Sequence, residues 1–294
     1  MWTHFSDDLA TLSQDGQYMW SNSLLFTPVL VEGATEVTGY FPKSLWYSMT
    51  DDGFIDASET AQTVTFETPV STTNVHVRGG SVVPMQEAGM TTKAVQESPY
   101  TLLVALDSTG VASGSLFLDD GIQNELTSMT FIEYTVAEGS LVSAQAAGSN
   151  YEPNVPLQTV AIRGVDVVSA TSTCSAQLTL QVEADSTVVL PTASIVSMGT
   201  YYATLTLTFD GVDIASDFVL TWECTDENEE HGDGNGNDDD SAFSNVYLQI
   251  VLSMLGVTLF VGMFYIAAKT YAVSKQNSDN EEPLIRSLSS NSRT

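Results

Sequence analysis

Hydrophobic and polar residues alternate along several short segments of the chain, with Thr, Gln or Glu between many of the apolar positions. A period of two places every second side chain on the same face of an extended strand. The alternating apolar positions are Val64 and Phe66; Leu178, Leu180 and Val182; Leu205, Leu207 and Phe209; and Phe218, Leu220, Trp222 and Cys224. Each of these segments is predicted to form a β-strand with one buried face.

Asp-Gly pairs supply turn signals along the same part of the chain. The strongest are Asp51-Asp52-Gly53, Asp120-Gly121 and Asp210-Gly211, which are typical of hairpins between antiparallel strands. Outside residues 246–268, no helical period persists over three turns. The pattern therefore predicts an all-β architecture of antiparallel β-sandwiches.

The segment 246–268 differs from the rest because it contains no charged residue. As a helix it would reach about 35 Å, which is enough to span a bilayer. Tyr247 and Tyr265 lie near its two ends, where tyrosine favours the membrane interface, and Lys269 and Lys275 follow directly. One transmembrane helix is predicted here; a buried core helix is the alternative.

The charges are distributed unevenly. The chain has 8 Lys+Arg and 37 Asp+Glu, a net charge of −29, and half of the basic residues follow residue 268. An acidic surface repels phosphate, which excludes a nucleic-acid partner. The basic tail 269–294 indicates a cytoplasmic end, so we expect a single-pass type I membrane protein whose ectodomain is lumenal or extracellular.

The first sixteen residues have neither the basic nor the apolar region of a signal peptide. Because a lumenal domain needs such a signal, we expect that Met1 is not the native start of the protein.

Residues 226–245 are acidic, rich in Gly and Asn, and predicted to form a disordered linker. If this segment were a calcium loop beginning at Asp233, Asp238 would stand at the glycine position and Ser244 at the final glutamate position. A solvated spacer is therefore the better interpretation.

Cys174 and Cys224 are the only cysteines, and both lie in the later strand region. In an oxidising compartment they could form a disulfide that closes a loop of about 50 residues. Two buried free thiols are the alternative. The three histidines, His4, His76 and His231, lack the spacing of metal ligands, so no metal site is expected.

Three longer segments occur in an order that is specific when they are taken together. They are QYMWSNSLLFTPVLVEGATEVTGYFPKSLWYSM (residues 17–49), VHVRGGSVVPMQ (75–86) and LLVALDSTGVASGSLFLDDG (102–121). These segments resemble glycoside hydrolase family 31, the α-glucosidases. Ser21 stands where the family has a glycine, and Leu118 stands where it commonly has an aromatic residue.

The resemblance implies a domain order. The implied segments are 1–25, the remnant of the end of a catalytic (β/α)8 barrel; 26–95, a proximal β-sandwich; 96–225, a distal β-sandwich; 226–245, the linker; 246–268, the transmembrane helix; and 269–294, the cytoplasmic tail. The fold class is thus all-β, with two antiparallel β-sandwich domains, the proximal and distal C-terminal domains.

The family's catalytic carboxylates lie upstream, on the barrel. Its Trp-hydrophobic-Asp-Met-Asn-Glu nucleophile motif and its Gly-Asp acid/base motif are absent from this sequence. The resemblance therefore implies no catalytic residue here, and we expect no cofactor. The pairs Asp51/Asp52 and Asp119/Asp120 each precede a glycine, and we interpret them as turn caps rather than a glycosidase pair.

Two other sets of residues each allow a binding and a structural interpretation. Arg78-Gly79-Gly80 could form an anion nest, but a strand bend with close backbone approach is favoured. Trp20, Tyr40, Trp46 and Tyr47 could stack on sugar rings, but an aromatic core is favoured.

We also expect the surface that packs on the barrel to be exposed in this chain and to make it poorly soluble. This surface is predicted to include Trp2, Phe5, Leu24, Leu25 and Phe26.

The tail contains a segment that resembles an acidic dileucine sorting signal, which clathrin adaptors recognise. Its residues are Asp279, Glu281, Glu282, Leu284 and Ile285. Asn280 stands at the position where the pattern has its acidic residue. The motif predicts an endosomal or lysosomal location; an unstructured, serine-rich tail is the alternative.

The functional prediction is the C-terminal, membrane-anchored part of an α-glucosidase that hydrolyses O-glycosyl bonds in carbohydrate metabolism. This part would lack the catalytic carboxylates and would support and anchor the catalytic barrel. The alternative is a non-catalytic, membrane-anchored carbohydrate-binding or adhesion protein. A third interpretation, an independent hydrolase acting through the aspartate pairs, is the least favoured.

Overall fold

The computed structural model describes residues 1–121, 127–166, 173–182, 185–197 and 202–225. Most of these residues form β-strands. The strands are β1 Tyr18–Trp20, β2 Leu24–Phe26, β3 Glu36–Phe41, β4 Leu45–Ser48, β5 Phe54–Asp56, β6 Gln62–Glu67, β7 Val75–Arg78, β8 Ser81–Gln86, β9 Tyr100–Ala105, β10 Ala112–Asp119, β11 Met129–Ala137, β12 Ser140–Gln145, β13 Leu157–Asp166, β14 Thr173–Val182, β15 Asp185–Val189, β16 Thr192–Ser197, β17 Tyr202–Thr208 and β18 Phe218–Thr225. Within the described ranges, the helices are a 3₁₀ helix, Leu9–Ser13, and a short α-helix, α1, Thr92–Gln96.

The strands form three sheets. The order is β1-β2-β7-β4-β5 in a five-stranded sheet and β3-β6 in a two-stranded sheet. The third sheet has eleven strands, in the order β15-β14-β18-β12-β11-β10-β8-β9-β13-β17-β16. The all-β prediction is therefore confirmed for the described residues. The division into a proximal and a distal sandwich remains a prediction, because β8 and β9 pair across the predicted boundary between residues 95 and 96.

Not every strand pair is antiparallel. β9 pairs with β13 in parallel, from Tyr100 opposite Leu157 to Ala105 opposite Arg163, and β8 meets β10 in parallel at Ser81 and Ser113. The sheet is mixed at these strands, which corrects the antiparallel prediction. Alternation of apolar residues defines the buried face of a strand but carries no information on its direction.

The largest hydrophobic core lies between the two halves of the eleven-stranded sheet. Strands from both halves of this sheet contribute fully buried side chains, including Leu102, Ile132, Ile162, Leu205 and Phe218. The two halves therefore enclose one hydrophobic core, as the opposed sheets of a sandwich do.

Strand β9 is buried on both faces. Leu102 and Val104 belong to the large core, whereas Leu103 and Ala105 pack against Tyr47 and other residues of the five-stranded sheet. The period of two in a strand makes this possible, because successive side chains point to opposite faces. The five-stranded sheet is thus packed directly on the outer face of the large sheet.

The opposite face of the five-stranded sheet carries a cluster of aromatic and aliphatic side chains. Trp46 and Leu25 are fully buried there, together with Phe41 of β3, and Phe66 of β6 packs against them. The two-stranded sheet thus covers this face.

The strands predicted from alternation are confirmed in β6, β14, β17 and β18, although Phe209 lies just after the end of β17. The hairpin predicted at Asp51-Asp52-Gly53 is also confirmed, because β4 and β5 pair on either side of it. The prediction of a hairpin at Asp210-Gly211 is wrong, because the strands on either side of it do not pair with each other. β17 pairs with β13 and β16, whereas β18 pairs with β12 and β14. An Asp-Gly pair favours a turn but does not determine which strands pair beyond it.

The predicted linker 226–245, transmembrane helix 246–268 and tail 269–294 lie outside the described residues. Within the described residues, no helix has the length and apolar character needed to cross a membrane.

Candidate functional site

The aspartates that precede Gly53 and Gly121 act in turns. The Gly53 amide donates to Asp51 Oδ1 over 2.9 Å, and the Gly121 amide donates to Asp119 Oδ1 over 3.0 Å. Hydrogen bonds from the Ser48 side chain and the Gly53 backbone lower the pKa of Asp51 below its usual range. The hydrogen bonds from the glycine amides are those of side chains that cap turns, so the turn-cap interpretation is confirmed for Asp51 and Asp119.

A serine, a histidine and an aspartate lie together beside this turn, which the sequence did not reveal. Ser48 is directly opposite His76 in the β4–β7 pair, and Asp51 influences His76 electrostatically. However, Ser48 Oγ lies 3.2 Å from Thr50 Oγ1, and the buried His76 Nδ1 has no hydrogen-bond partner among the described residues. Nucleophilic catalysis needs a serine and a base within hydrogen-bond reach, so this group does not form a catalytic triad.

His76 is held in an aromatic environment. Its ring centre lies 4.9 Å from that of Phe41 and 5.1 Å from that of Phe66. Burial lowers the pKa of His76 to about 4, because a charged imidazolium would lose its hydration, and Asp51 only partly offsets this effect. The imidazole is therefore neutral at pH 7.

The two glycines after Arg78 admit a close backbone approach, as predicted. A Cβ atom on Gly79 would lie 2.8 Å from the carbonyl oxygen of Leu106, and Gly80 has a φ of +92°. The Arg78 guanidinium lies 4.3 Å from the centre of the Phe5 ring, in a cation–π contact. Arg78 therefore holds the N-terminal segment instead of lining an anion site.

Further hydrogen bonds fix the first seventeen residues. Tyr40 Oη donates to Asp8 Oδ2 over 2.7 Å, and burial together with this carboxylate raises the pKa of Tyr40 to about 12. The Gln17 side chain accepts from the Tyr40 amide over 2.6 Å and donates to Thr27 Oγ1 over 2.8 Å. The N-terminal segment is thus bound to β3 and to the loop after β2.

A group of large apolar side chains near the N-terminus remains exposed to solvent. We call it the N-terminal apolar surface. Its members are Trp2 (54% exposed), Leu9 (75%), Leu12 (63%), Trp20 (69%), Leu30 (69%) and Val31 (70%). Single exposed apolar residues are ordinary, whereas clustered ones are typical of surfaces that contact another protein segment.

The prediction of the barrel-facing surface was partly wrong. Trp2 is exposed as expected, but Leu25 is fully buried, and Phe5, Leu24 and Phe26 are half-buried. Leu25 turns inward because β2 pairs with β7, which directs its side chain into the cluster around Trp46. Trp46 and Tyr47 are also fully buried, which confirms the core interpretation for them, whereas Trp20 is not a core residue.

The five-stranded and eleven-stranded sheets are joined by polar contacts that the sequence did not indicate. Tyr47 Oη donates to the carbonyl oxygen of Leu106 over 2.7 Å, and Arg163 Nη1 donates to the carbonyl oxygen of Ser48. A β-bulge at Gly164, with a φ of +83°, makes room for the tyrosine hydroxyl. Residues more than 50 positions apart in the chain meet here.

Cys174 and Cys224 form a disulfide. They are directly opposite each other in the β14–β18 pair. Their sequence separation is 50 residues.

A cleft of about 270 Å³ opens beside this disulfide. We call it the distal cleft. The residues that line it include Asp107, Glu138, Asp166, Tyr202, Trp222 and Cys224. They come from strand ends and turns of the eleven-stranded sheet, and sequence reasoning missed the cleft because these segments are far apart in the chain.

The sequence of the N-terminal third matches a known domain family. Residues 1–83 match the family described as "Glycosyl hydrolase family 31 C-terminal domain". The chain is also 37% identical over 180 residues to an alpha-glucosidase of Schizosaccharomyces pombe. The aligned region covers 60% of this chain and 18% of that protein. It is 34% identical over 184 residues to a lysosomal alpha-glucosidase of Rattus norvegicus, which covers 56% of this chain and 19% of that protein.

Solved structures show the same fold. The alpha subunit of a glucosidase II superimposes with a TM-score of 0.66 and 21% identity, covering 76% of this chain and 25% of that one. A family 31 dextranase of Flavobacterium johnsoniae superimposes with a TM-score of 0.53 and 14% identity, covering 76% of this chain and 28% of that one.

The fold and these matches define the described part as an all-β domain of the kind found in glycosyl hydrolases. They support the resemblance to the C-terminal portion of a family 31 α-glucosidase. The chain spans about a fifth of the length of the curated relatives it matches.

Proposed function

We propose that this chain is a non-catalytic, membrane-anchored C-terminal portion of a family 31 α-glucosidase. The observation that carries the proposal is the match of residues 1–83 to the C-terminal domain of that family. In this proposal the chain contributes no catalytic carboxylate. It stabilises a catalytic barrel supplied by the rest of the enzyme, which hydrolyses α-linked glucosides.

The N-terminal apolar surface gives the proposal a physical basis. A folded segment that leaves Trp2, Leu9, Trp20, Leu30 and Val31 in water loses the hydrophobic free energy of burying them. The Tyr40–Asp8 hydrogen bond and the Arg78–Phe5 contact hold the N-terminal segment of this surface in place. A rigid, exposed apolar surface is suited to permanent packing against another domain.

A chimera tests the supporting role. The aligned C-terminal region of the Schizosaccharomyces pombe alpha-glucosidase is replaced by the corresponding region of this chain, and hydrolysis of p-nitrophenyl α-glucoside is measured. We expect an active chimera, and no hydrolysis by the 294-residue chain alone.

The control chimera carries Leu30→Asp and Val31→Asp, which place charges on the N-terminal apolar surface. It should lose activity through loss of barrel stability. Hydrolysis by the chain alone, or an equally active control chimera, would contradict the supporting role.

We further propose that residues 246–268 anchor the chain as a type I membrane protein with a lumenal or extracellular ectodomain. The support is the uncharged 23-residue segment between an acidic linker and a basic tail. Alkaline carbonate extraction tests this. The full chain should stay in the membrane pellet, whereas a chain that ends at residue 245 should be released; release of both would contradict the anchor.

The tail is proposed to direct the protein to endosomes or lysosomes through clathrin adaptors that bind the acidic dileucine motif. Replacement of Leu284 and Ile285 by alanine should raise the amount of protein at the cell surface, measured by surface biotinylation. Replacement of Ser289 and Ser290 by alanine is the matched control. Equal surface amounts in both variants would exclude a sorting role for Leu284 and Ile285.

A further inference from the structure

The distal cleft lies outside the region that matches the family 31 C-terminal domain. Its walls are the turn after β9, the β11–β12 turn, the end of β13, the start of β17 and the end of β18. At about 270 Å³ it is close to the lower end of the range for small-molecule sites, which suits one or two sugar rings.

The chemistry of the lining restricts the ligand class. Three acidic residues, Asp107, Glu138 and Asp166, line the cleft together with the aromatic residues Tyr202 and Trp222. Among the described lining residues there is no lysine or arginine, so phosphate and other anions are repelled. No group of three metal-ligating side chains with suitable geometry occurs within the described ranges.

Asp107 is oriented by its own turn. Its Oδ1 accepts hydrogen bonds from Thr109 N (2.8 Å), Thr109 Oγ1 (2.7 Å) and Val111 N (3.1 Å). Although burial raises the pKa of Asp107, these hydrogen bonds outweigh it and bring the pKa below its usual range. The carboxylate is therefore ionised, and in the part of the chain that the structure describes Oδ2 has no hydrogen bond. It can accept one from a ligand hydroxyl.

Glu138 occupies a backbone conformation that suits other residues better. Its φ is +51° in the turn that joins β11 and β12, where glycine or asparagine is favoured. Glu138 thus occupies a backbone conformation that disfavours a long side chain, and it lines the cleft. Strained residues of this kind cluster at binding sites.

The aromatic walls are held in place by neighbouring strands. The Trp222 amide donates to the carbonyl oxygen of Gly139 over 3.0 Å, and the disulfide at Cys224 fixes the same strand to β14. The Tyr202 ring makes an edge-to-face contact with Phe54, with 5.4 Å between ring centres. Preformed walls reduce the ordering entropy that a ligand must overcome.

From these observations we infer that the distal cleft is a non-catalytic binding site for a neutral sugar unit of an α-glucan. Carboxylates accept hydrogen bonds from ring hydroxyls, and the apolar C–H face of a pyranose packs on aromatic rings. The choice of an α-glucan rests on the proposed function, whereas the sugar class follows from the lining. The site would hold a polymeric substrate near the enzyme without acting on it.

The experiment measures binding of maltotriose to the full chain, purified in a detergent without a sugar head group. Saturation-transfer NMR and isothermal titration calorimetry are the readouts. We expect saturable binding by the wild-type chain and a loss of affinity of about tenfold or more for Asp166→Asn, which removes one exposed acceptor charge.

The Glu138→Gly variant distinguishes an effect on binding from an effect on folding. Glycine relieves the backbone strain, so the melting temperature should be unchanged or higher, while the affinity for maltotriose falls. If Glu138 had only a structural role, stability would change and binding would not. Trp20→Ala, at an exposed tryptophan outside the cleft, is the matched control and should bind like the wild type.

Three results would overturn the inference: no saturable binding of maltotriose, equal binding by Glu138→Gly and the wild type, or loss of binding in Trp20→Ala. Binding of spermidine in place of maltotriose would show that the carboxylates select a cation, and would also overturn it. The outcome is independent of the chimera experiment, because binding to the chain alone requires no catalytic barrel.

Discussion

Single residues at the contact between the two larger sheets determine how closely those sheets approach. A Cβ atom on Gly164 would lie 2.1 Å from Tyr47 Oη, and the bulge gives this glycine a φ of +83°. Tyr47 is fully buried, and its hydroxyl binds the carbonyl oxygen of Leu106. The glycine is therefore required for both its conformation and its lack of a side chain.

Replacement of Gly164 by alanine should lower the free energy of unfolding by about 2–4 kcal/mol, from backbone strain and overpacking together. Urea denaturation followed by circular dichroism measures this. Gly33→Ala is the matched control, because Gly33 has a φ of +74° but a Cβ atom there would meet no other group within 4 Å. It should show only the smaller cost of backbone strain. Equal losses in the two variants would contradict the steric argument.

The pKa of His76 makes the stability of the fold dependent on pH. The folded-state pKa is about 4, below the ordinary value of 6.5, so the unfolded chain binds more protons between these values. The free energy of unfolding should fall by up to about 3 kcal/mol as the pH drops from 6.5 to 4. Above the ordinary pKa this contribution is fully present.

Thermal melts of wild type and His76→Leu between about pH 4 and pH 7.5 test this prediction. The variant should lose part of the acid sensitivity, whereas His4→Leu, at an exposed histidine, should keep it. An unchanged pH profile in His76→Leu would show that other groups cause the acid sensitivity.

At the scale of elements, the sequence predicted the buried faces of strands and the turns better than it predicted which strands pair. The alternating segments became β6, β14, β17 and β18, because one-sided burial imposes a period of two. Alternation could not predict the parallel β9–β13 pair, since it gives no direction. Nor could local signals predict the distal cleft or the contact between Arg163 and Ser48, which depend on chain segments brought together only by the fold.

The disulfide between β14 and β18 should stabilise the later part of the large sheet. Closing a loop of 50 residues in the unfolded chain contributes about 2–4 kcal/mol. Reduction with dithiothreitol should therefore lower the melting temperature of the wild type. A Cys174→Ala, Cys224→Ala double variant should melt at the temperature of the reduced protein and show no response to the reductant. A response in that variant would indicate a reductant effect unrelated to this bond.

At the scale of the whole molecule, the described part of the chain forms a compact unit that carries the exposed N-terminal apolar surface. The net charge of −29 favours solubility through repulsion between copies, whereas the N-terminal apolar surface favours association. Because charge repulsion is screened by salt and hydrophobic burial is not, association should increase with ionic strength.

A protein consisting of residues 1–230 should therefore self-associate in about 0.5 M salt. At about 0.1 M salt, where the Debye length is about 10 Å, it should associate less. Replacement of Trp20, Leu30 and Val31 by serine should restore the monomer, as measured by size-exclusion chromatography with light scattering. The control replaces Val188 and Leu190, which are exposed elsewhere, and should associate like the unaltered protein. Equal behaviour of the two variants would contradict a specific role for the N-terminal surface.

The burial of β9 on both faces has a consequence for the order in which the chain folds. Its neighbours are β8, which adjoins it in the sequence, and β13, which begins more than fifty residues later. The five-stranded sheet packs on Leu103 and Ala105 of β9 and also on Ala161 of β13. Contacts between such distant segments slow folding, because loop closure precedes the gain in burial. During synthesis, the earliest strands must therefore wait for β13 to leave the ribosome before their packing is complete.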